Sequence, residues 1–435
     1  MKISVVGCGY LGAVHAACMA ELGHEVIGID VDAAKIALLA AGSPPFFEPG
    51  LPELLSSAIA SGRLSFTTDI AQASGAAVHF IAVGTPQLGE SNAVDLRYVD
   101  AAVAGLLPHL RDGDLVVGKS TVPVGTAARL AEIVRSAGHG ATLAWNPEFL
   151  REGFAVKDTL RPDRLVYGLA AGDSVGEQLL DCVYAAALAL DTPKVVTDFA
   201  TAELVKVAAN AFLATKISFI NAMAEVAEAT GADVTQLADA IGYDARIGRR
   251  FLNAGLGFGG GCLPKDIRGF MARAEELGVD QALSFLREVD SINLRRRGRM
   301  VDLVTEAVGG DVRGKRIAVL GLAFKPDSDD VRDSPALDVV VRLAALGADV
   351  VATDPEAIET SRRRFPDLNY VESVDDAVRG ADAVALLTEW KAYRALDPTE
   401  LGSAVATRAI VDGRNCLDPV QWRAAGWLYR ALGRP

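Results

Sequence analysis

A glycine-rich segment near the start of the chain has the spacing of a phosphate-binding turn. Residues 7–12 read Gly-Cys-Gly-Tyr-Leu-Gly, and Asp30 closes the strand that follows, about twenty residues on. Gly7, Gly9 and Gly12 would let the backbone turn tightly and approach a pyrophosphate at a helix N-terminus, while Asp30 would accept from the ribose hydroxyls and repel a 2′-phosphate. This order of strand, motif, helix and acid predicts an NAD site and disfavours a glycine turn without a ligand.

A second glycine-rich segment surrounds a cysteine. Residues 257–266 read Gly-Phe-Gly-Gly-Gly-Cys-Leu-Pro-Lys-Asp. Backbone and substrate can both approach Cys262 closely among these glycines, and Lys265 and Asp266 could tune its ionisation or position a water. A catalytic nucleophile is one interpretation, and a buried structural cysteine in a tight loop is the other that the residues alone leave open.

The first motif belongs to a series of strands and helices. Strand-like runs lie at 2–6, 25–29, 77–83, 115–117 and 141–145. Helix-length segments separate them, which predicts a mostly parallel sheet. Thr85, Thr121 and Glu148 follow three of these runs. Because ligands bind at the carboxyl ends of strands in open α/β sheets, these three residues are candidates for a site.

The remainder of the chain predicts a long helix and a second sheet. Residues 199–230 contain no proline or glycine, and as a helix they would span about 45 Å, enough to join two domains and offer a face to a second subunit. A second β-α-β pattern covers 316–353 but lacks the full glycine signature after Gly321, which indicates a degenerate nucleotide site where Lys325 would suit a phosphate. The predicted fold class is α/β, with two Rossmann-like domains joined by a long central helix.

Composition limits the ligands and the compartment. The 435 residues are 50% hydrophobic and 23% charged, as in a multidomain globular protein. A formal charge of −13 gives no general attraction for nucleic acid or anionic membranes, so an anionic ligand needs local cations. The five cysteines show neither metal-ligand spacing nor a disulfide framework, and no uninterrupted apolar run reaches about 18 residues. We therefore expect a cytoplasmic protein that binds no metal, nucleic acid or membrane.

Further motifs extend almost from end to end. They are Glu-Pro-Gly-Leu at 48–51, Gly-Thr-Pro at 84–86, Lys-Ser-Thr-Val-Pro-Val-Gly at 119–125, Asn-Pro-Glu-Phe-Leu-Arg-Glu-Gly at 146–153, and Glu-Leu-Val-Lys at 203–206 with Asn210. With the two glycine segments, they resemble the UDP-glucose/GDP-mannose dehydrogenase family, and within it the branch acting on UDP-glucose. The resemblance implies two NAD-dependent steps that take the sugar C6 alcohol to an aldehyde and then to a carboxylate. Cys262 would carry the aldehyde as a thiohemiacetal and then a thioester, which water hydrolyses.

The resemblance assigns catalytic roles to Cys262, Lys206, Asn210, Asp266, Glu148 and Thr121. Lys206 and Asn210 are four residues apart, so they share a helix face and could present an ammonium and an amide to the developing oxyanion. Asp266 would act through a water that Thr121 holds, and Glu148 would activate the hydrolytic water. The simpler alternatives are a solvated Lys206 and a Glu148 that, like Glu152, only caps the next helix.

Binding residues follow from the same resemblance. Cofactor contacts fall on Gly7, Gly9, Gly12, Asp30, Lys35, Thr85, Thr121, Glu152, Lys265 and Arg332. Contacts to the nucleotide sugar fall on Glu148, Phe149, Leu150, Arg151, Glu152, Lys206, Arg246, Phe251, Leu252, Asn253, Ala254, Gly255, Gly259, Lys325 and Arg414. A partner subunit could donate Arg246, whose alternative is a surface salt bridge, and Lys265 could be a loop charge alone.

Domain roles are implied as well. We expect an NAD-binding Rossmann-like domain at 1–198, a central helical domain with the cysteine loop and a dimer face at 199–300, and a Rossmann-like nucleotide-sugar domain at 301–435. The partners expected are a nucleotide sugar and at least one further copy of the chain. One departure is Gly261, where many relatives have serine.

Three other functions remain open from the sequence. A GDP-mannose dehydrogenase shares the cysteine chemistry, although Arg161-Pro162-Asp163-Arg164 looks more like the UDP-glucose branch. A simple two-electron dehydrogenase would release one NADH per substrate and would not need Cys262. A non-catalytic NAD-binding scaffold would be expected to lose at least one of the catalytic residues named above, and all are present.

Overall fold

The computed structural model describes residues 1–89 and 91–435. The chain forms two compact units. The first comprises Met1–Ala209 and Arg268–Gly278, and the second comprises Asn210–Ile267 and Val279–Pro435. Two of the three boundaries fall within helices, at 209/210 and 267/268, and the third follows a helix at 278/279.

The first unit is built on an eight-stranded sheet. Its strands are β1 (Lys2–Val6), β2 (Glu25–Ile29), β3 (Leu64–Thr67), β4 (Val78–Ile81), β5 (Leu115–Gly118), β6 (Thr142–Trp145), β7 (Leu165–Gly168) and β8 (Lys194–Thr197). They lie in the order β3-β2-β1-β4-β5-β6-β7-β8. All neighbours are parallel except β6 and β7, which meet antiparallel. The first six strands thus have the order of a Rossmann dinucleotide-binding fold.

Helices connect these strands. They are α1 (Tyr10–Glu21), α2 (Ala33–Ala40), α3 (Leu51–Ala60), α4 (Arg97–Leu106), α5 (Thr126–Ser136), α6 (Ala155–Leu160), α7 (Ser174–Val183) and α8 (Ala185–Leu188). Buried apolar side chains form two clusters, one containing much of α1 and the other containing apolar side chains of α4 and α5. Strands β4 and β5 are buried at every residue, which is why they read as short continuous apolar runs.

Four helices follow in the middle of the chain. They are α9 (Phe199–Thr230), α10 (Val234–Gly242), α11 (Leu263–Glu276) and α12 (Phe285–Ala307). Gly231 has a φ of 75°, a left-handed conformation that ends α9 where the sequence predicted. Among the residues that the structure describes, α9 is the one helix long and apolar enough to cross a membrane by length and composition, with a mean hydropathy of 1.3. Core helices of soluble proteins pass the same test.

The second unit contains a sheet of the same design. Its strands are β9 (Arg316–Leu320), β10 (Asp349–Thr353), β11 (Asn369–Tyr370), β12 (Ala383–Leu386), β13 (Ala409–Asp412) and β14 (Leu428–Ala431). They are all parallel, in the order β11-β10-β9-β12-β13-β14. The helices here are α13 (Pro335–Ala345), α14 (Ile358–Arg364), α15 (Val374–Val378), α16 (Lys391–Arg394), α17 (Pro398–Leu401) and α18 (Pro419–Ala424). Two Rossmann-like sheets and a long helix confirm the predicted fold class.

Candidate active site

The glycine-rich turn has the shape that a pyrophosphate needs. Gly7 follows β1 with a φ of 92°, and a Cβ there would lie 2.7 Å from Val83. A Cβ at Gly12 would lie 1.8 Å from the Gly7 carbonyl oxygen, so the turn closes only with glycine at these positions. Among the described residues, a Cβ at Gly9 would meet nothing within 4 Å, and the glycine N-cap of α1 has no side chain that could occupy the first N–H groups. This leaves space beside the N-terminus of α1, which fits an NAD pyrophosphate.

Asp30 anchors this turn and lies beside Lys35. One oxygen of its carboxylate accepts from the Cys8 N–H and from Lys35 Nζ, both at 2.8 Å, and the other accepts from the Asp32 N–H at 3.0 Å. Burial raises the pKa of Asp30, but these hydrogen bonds outweigh burial and leave the pKa below its usual value. The carboxylate is therefore charged and suited to ribose hydroxyls.

Asp354 occupies the equivalent position after β10, but the protein itself uses its carboxylate. One oxygen accepts from the N–H groups of Leu322 and Ala323 and from Trp390 Nε1, and the other accepts from the N–H groups of Glu356 and Ala357. The side chain is buried. The second Rossmann-like sheet thus keeps the acid as a structural anchor, which agrees with the expectation of a degenerate site.

The loops after β4 and β5 meet at the edge of the first sheet. Thr85 Oγ1 donates to the Thr121 carbonyl oxygen at 2.9 Å, so these two predicted residues are neighbours. Glu203 of α9 holds the far end of the second loop, because its carboxylate accepts from the N–H groups of Gly125 at 2.7 Å and Ala127 at 2.6 Å. Glu203 therefore caps α5 and fixes α9 one turn before Lys206.

Glu148 and Lys206 form a largely buried ion pair in the first unit. Lys206 Nζ lies 2.8 Å from Glu148 Oε1, and Glu148 Oε2 accepts from the Leu150 N–H at 2.8 Å. Lys206 is thus not a solvated lysine. Its ammonium is 5.7 Å from the centre of the Phe149 ring, and the Arg164 guanidinium stacks at 3.8 Å on the same ring. Two predicted catalytic residues and one predicted substrate residue are therefore in contact.

Glu48 fixes the segment that carries the next predicted residues. Its buried carboxylate accepts from the N–H groups of Gly153 at 2.6 Å and Ala155 at 2.7 Å, and from the hydroxyl of Tyr10. Tyr10 begins α1, so one side chain joins the cofactor turn to residues 153–155. In this segment Arg151 pairs with Asp158 at 2.7 Å and is half-exposed, whereas Glu152 is buried.

The loop before Cys262 contains glycine because other chain segments lie against it. A Cβ at Gly257 would lie 2.1 Å from Asn293 Oδ1, and one at Gly259 would lie 2.4 Å from the Asp333 carbonyl oxygen. The Gly260 N–H donates to the Arg332 carbonyl oxygen at 2.8 Å. Arg332, a predicted cofactor residue, therefore lies beside the cysteine loop. Its guanidinium would be 2.4 Å from a Cβ at Gly261, so a serine there would require this flexible side chain to shift.

Cys262 is the cysteine best placed for chemistry. Its carbonyl accepts from the Asp266 N–H at 2.9 Å, so its exposed side chain stands at the N-terminus of α11, where the helix dipole stabilises a thiolate. Cys8 and Cys18 are buried, and burial raises the pKa of each to about 12. All five cysteines are free thiols. The alternative interpretation of Cys262 as a buried structural cysteine is therefore wrong.

Asp266 joins two other predicted residues one turn into α11. Its carboxylate accepts from Asn210 Nδ2 at 2.6 Å through one oxygen and from Lys265 Nζ at 2.6 Å through the other. Asp266 is buried, and Lys265 is largely so. The second unit thus brings together an acid, an amide and an ammonium beside Cys262. Lys265 is more than an isolated loop charge, because it pairs with Asp266.

The predicted substrate residues of the second unit are held by backbone contacts. Arg414 donates to the carbonyl oxygens of Leu387 at 2.7 Å, Gly257 at 3.0 Å and Phe324 at 3.0 Å, and therefore joins the cysteine loop to the segment before Lys325. Gly255 N–H donates to Asn221 Oδ1 at 2.9 Å. The other members of this segment are Phe251, Leu252, Asn253 and Ala254, of which Leu252 and Ala254 are buried.

Arg246 lies on the surface. Its guanidinium pairs with Asp244 at 2.6 Å and is 89% exposed, so within one chain it forms the surface salt bridge that was its alternative.

In residues 1–89 and 91–435, no group of three or more His, Cys, Asp and Glu side chains could hold a metal ion.

Sequence reasoning did not assign Glu48, Glu203 or Asp330, which hold the loops of the site. Asp330 accepts from the Gly261 N–H at 3.3 Å and binds the Arg332 guanidinium. Glu48 and Glu203 belong to motifs that the sequence singled out, which was the available signal. Their partners lie 105 and 78 residues away along the chain, so no local pattern revealed them.

The first unit has an open glycine turn at a helix N-terminus and a charged aspartate after the second strand, which are features of an NAD-dependent oxidoreductase. The chain matches three domain models of one family: the NAD binding domain of the UDP-glucose/GDP-mannose dehydrogenase family at residues 1–188, its central domain at 200–295 and its UDP binding domain at 318–419. The chain belongs to the UDP-glucose/GDP-mannose dehydrogenase family.

Individual relatives match this chain along its whole length. The UDP-glucose 6-dehydrogenase of Rhizobium meliloti (strain 1021) is 43% identical and that of Pseudomonas aeruginosa is 41% identical, each over 100% of this chain and at least 98% of its own length. The solved structure of a UDP-glucose dehydrogenase from the archaeon Pyrobaculum islandicum is 40% identical, with a TM-score of 0.90 over 100% of this chain and 98% of its own. The predicted family and the NAD cofactor are confirmed. The roles of the individual site residues stay predictions.

Asp30 and Asp354 provide a matched pair of substitutions. We expect Asp30→Ala to weaken NAD binding by about tenfold to a hundredfold, because charge-assisted hydrogen bonds to the ribose are lost. We expect Asp354→Ala to leave NAD affinity within about twofold and to reduce the free energy of unfolding by about 3 kcal/mol, because buried N–H groups lose their acceptor. Calorimetric NAD titration and chemical denaturation measure the two effects. An equal loss of NAD affinity in both variants would show that the second sheet also binds NAD.

Proposed function

We propose that this protein oxidises UDP-glucose to UDP-glucuronate in two NAD-dependent steps, with Cys262 holding the intermediate covalently. The observation that carries the proposal is the exposed Cys262 thiol at the start of α11, beside Asp266 with its partners Asn210 and Lys265. Membership of the family and the relatives that act on UDP-glucose support the substrate and the reaction.

The first step converts the C6 alcohol to the aldehyde. Bound NAD supplies the acceptor for the hydride that C6 loses in each oxidation. The hydroxyl proton passes to Asp266 through a water held at Thr121, while the Lys206 ammonium and the Asn210 amide stabilise negative charge on the C6 oxygen. The burial of Lys206 and Asp266 supports these roles, since charges act more strongly in a site of low dielectric.

The second step takes place on sulfur. The Cys262 thiolate adds to C6 of the aldehyde, and the oxygen takes a proton, which gives a thiohemiacetal. Loss of a second hydride and of that proton produces a thioester. Water that Glu148 deprotonates then attacks C6, the C–S bond breaks, and the carboxylate and the thiolate are released. The two oxidations remove four electrons in total, and one water supplies the additional oxygen.

We assign the recognition of each ligand to a part of the chain. Residues 1–198 bind NAD, residues 199–300 carry the cysteine loop and residues 301–435 bind the UDP group, with Lys325 as a phosphate ligand. The match of a UDP binding domain model at 318–419 supports the last assignment. We place the reaction in the cytoplasm, which agrees with five free thiols.

A second copy of the chain is the partner that α9 favours. Phe212, Phe219 and Val226 are spaced by seven residues and are 66%, 48% and 54% exposed. This spacing puts them in one apolar stripe along the helix, and a two-fold axis would pair the stripe with itself. We therefore propose a homodimer in which this stripe, Phe212–Phe219–Val226, is buried.

The number of NADH molecules formed per UDP-glucose distinguishes the covalent mechanism from a simple oxidation. We expect two NADH per UDP-glucose from the natural chain. Cys262→Ser should lower turnover by roughly a thousandfold or more, as is usual when a covalent nucleophile is removed. Cys182→Ser, at another exposed cysteine, is the matched control and should behave like the natural chain. The measurement is NADH absorbance at limiting UDP-glucose, with GDP-mannose in parallel.

Other stoichiometries would favour the alternative functions. One NADH per UDP-glucose, or full activity in Cys262→Ser, contradicts the thioester. Preference for GDP-mannose contradicts the proposed substrate, and NAD binding without turnover of either sugar would indicate a scaffold.

Substitution in the apolar stripe tests the dimer. Phe219→Glu places a charge in the proposed interface, so we expect sedimentation velocity to show a shift from dimer to monomer at low micromolar concentration. Val420→Glu, at an apolar residue of α18 that is 74% exposed, is the control and should remain dimeric. A dimer of unchanged stability in Phe219→Glu would place the interface elsewhere.

A further inference from the structure

The first unit contains a cavity that Glu148 shares with a group of buried polar side chains. Its lining includes Glu148, Phe149 and Leu150, together with His15, Lys119, Asn146 and Tyr184. His15 is buried, and in residues 1–89 and 91–435 neither of its ring nitrogens has a hydrogen-bond partner. The polar lining of the cavity therefore extends beyond Glu148, Phe149 and Leu150, the residues expected to recognise the sugar.

Lys119 is the buried cation of this cavity. It follows β5 directly, is 7% exposed, and its Nζ donates to Asn146 Oδ1 at 2.9 Å and to the Tyr184 hydroxyl at 3.1 Å. Both acceptors are neutral. Nζ also lies 5.6 Å from the centres of the Phe80 and Tyr184 rings, whose faces attract a cation.

Asn146 links this ammonium to Glu148. It is two residues before Glu148, its N–H donates to the Gly118 carbonyl oxygen at 2.8 Å, and its Nδ2 donates to the Val166 carbonyl oxygen at 2.9 Å. Its Oδ1 accepts from both Lys119 and the Tyr184 hydroxyl, the latter at 2.6 Å. The start of the turn that carries Glu148 is therefore fixed on three sides, and Lys119 supplies the only charge among these contacts to Asn146.

We propose that Lys119 is a positioning residue for Glu148. Its ammonium orients Asn146 at the start of the turn and adds, with Lys206, a second positive charge near the Glu148 carboxylate. The inference rests on the proposed role of Glu148 as the base that activates the hydrolytic water. A carboxylate on a fixed turn keeps one orientation, and a displacement of about 1 Å at such a group can reduce a rate by two orders of magnitude.

The charge of Lys119 depends on pH in an accessible range. Burial lowers the pKa of Lys119 to about 8, with Glu148 raising it and Lys206 lowering it further. Below that pH the ammonium is present, and above it the amine is neutral. The other titratable groups that face the cavity or contact Glu148 are His15, Asp158, Asp163, Arg164, Tyr184 and Lys206. Burial lowers the pKa of His15 well below its usual value and raises that of Tyr184 far above it, so neither changes charge in this range.

Two substitutions distinguish the effect of the Lys119 charge from that of the packing around it. Lys119→Met keeps most of the length of the side chain and removes its charge. Tyr184→Phe keeps the charge and removes one acceptor of the ammonium, together with one donor to Asn146. The measurement is kcat for NADH formation from saturating UDP-glucose and NAD, from neutral to mildly alkaline pH. We expect the natural chain to lose activity above a pH of about 8. Lys119→Met should reduce kcat on the order of tenfold at neutral pH and abolish this alkaline limb. Tyr184→Phe should move the limb to lower pH, because the ammonium loses an acceptor.

Lys157→Met, at an exposed lysine of α6, should retain the natural rate and pH profile. An unchanged alkaline limb in Lys119→Met, even with a reduced melting temperature, would overturn the proposal. If Lys119→Met does not fold, an unmoved limb in Tyr184→Phe overturns it instead. Failure of the proposed function looks different, because the natural chain would then form at most one NADH per UDP-glucose at every pH.

Discussion

The Glu203 carboxylate is buried, and both its oxygens accept backbone N–H groups from the loop that follows β5. The same interaction recurs at most loops of the site. Asp30 holds the cofactor turn, and Glu48 holds residues 153–155. Asp354 holds the loops after β9 and β10, and Asp412 holds the loop after β13. These loops are irregular and partly buried, so their N–H groups need acceptors that helices and strands do not provide. A buried carboxylate satisfies several at once and fixes the side chains that the same loop presents.

The two Rossmann-like sheets show how one framework acquires different uses. Both have the strand order that places a crevice after the first strand, and in both an aspartate directly follows the second strand. In the first sheet the glycine turn is open and Asp30 retains its charge beside Lys35. In the second, the Asp354 carboxylate accepts hydrogen bonds from five donors of its own chain. Ligand recognition in that unit therefore depends on loops such as the one before Lys325.

Much of this fold follows from local patterns. Strands β1, β2, β9 and β10 and helix α9 lie at the bounds that the sequence predicts, because apolar runs and glycines mark them clearly. Helices α10 and α12 and strands β7, β8 and β12–β14 were not anticipated. In α12, three consecutive arginines at 295–297 interrupt the apolar pattern, and Arg296 and Arg297 are buried as ion pairs with Glu228 and Asp333. Such burial depends on distant partners and leaves no local apolar pattern.

Site residues that belong to a sequence motif were predictable. The contacts that join distant segments of the chain were less so. Asp30, Cys262 and Asp266 were recognisable from their neighbours in sequence. The pairing of Lys206 with Glu148 joins residues 58 positions apart, and the clamp of Arg414 joins residues up to 157 positions apart. The glycines before Cys262 were expected to admit substrate and backbone, and the structure shows the backbone and side chains that require them.

Intact-protein mass spectrometry of Glu148→Gln would reveal whether the intermediate forms covalently on Cys262. With UDP-glucose and excess NAD, this variant should form two NADH per active site and then stall, with the mass of the UDP-glucuronyl group added to Cys262. The double variant with Cys262→Ser should gain no mass. Release of UDP-glucuronate by Glu148→Gln at the natural rate, or two NADH per site without any added mass, would contradict the account.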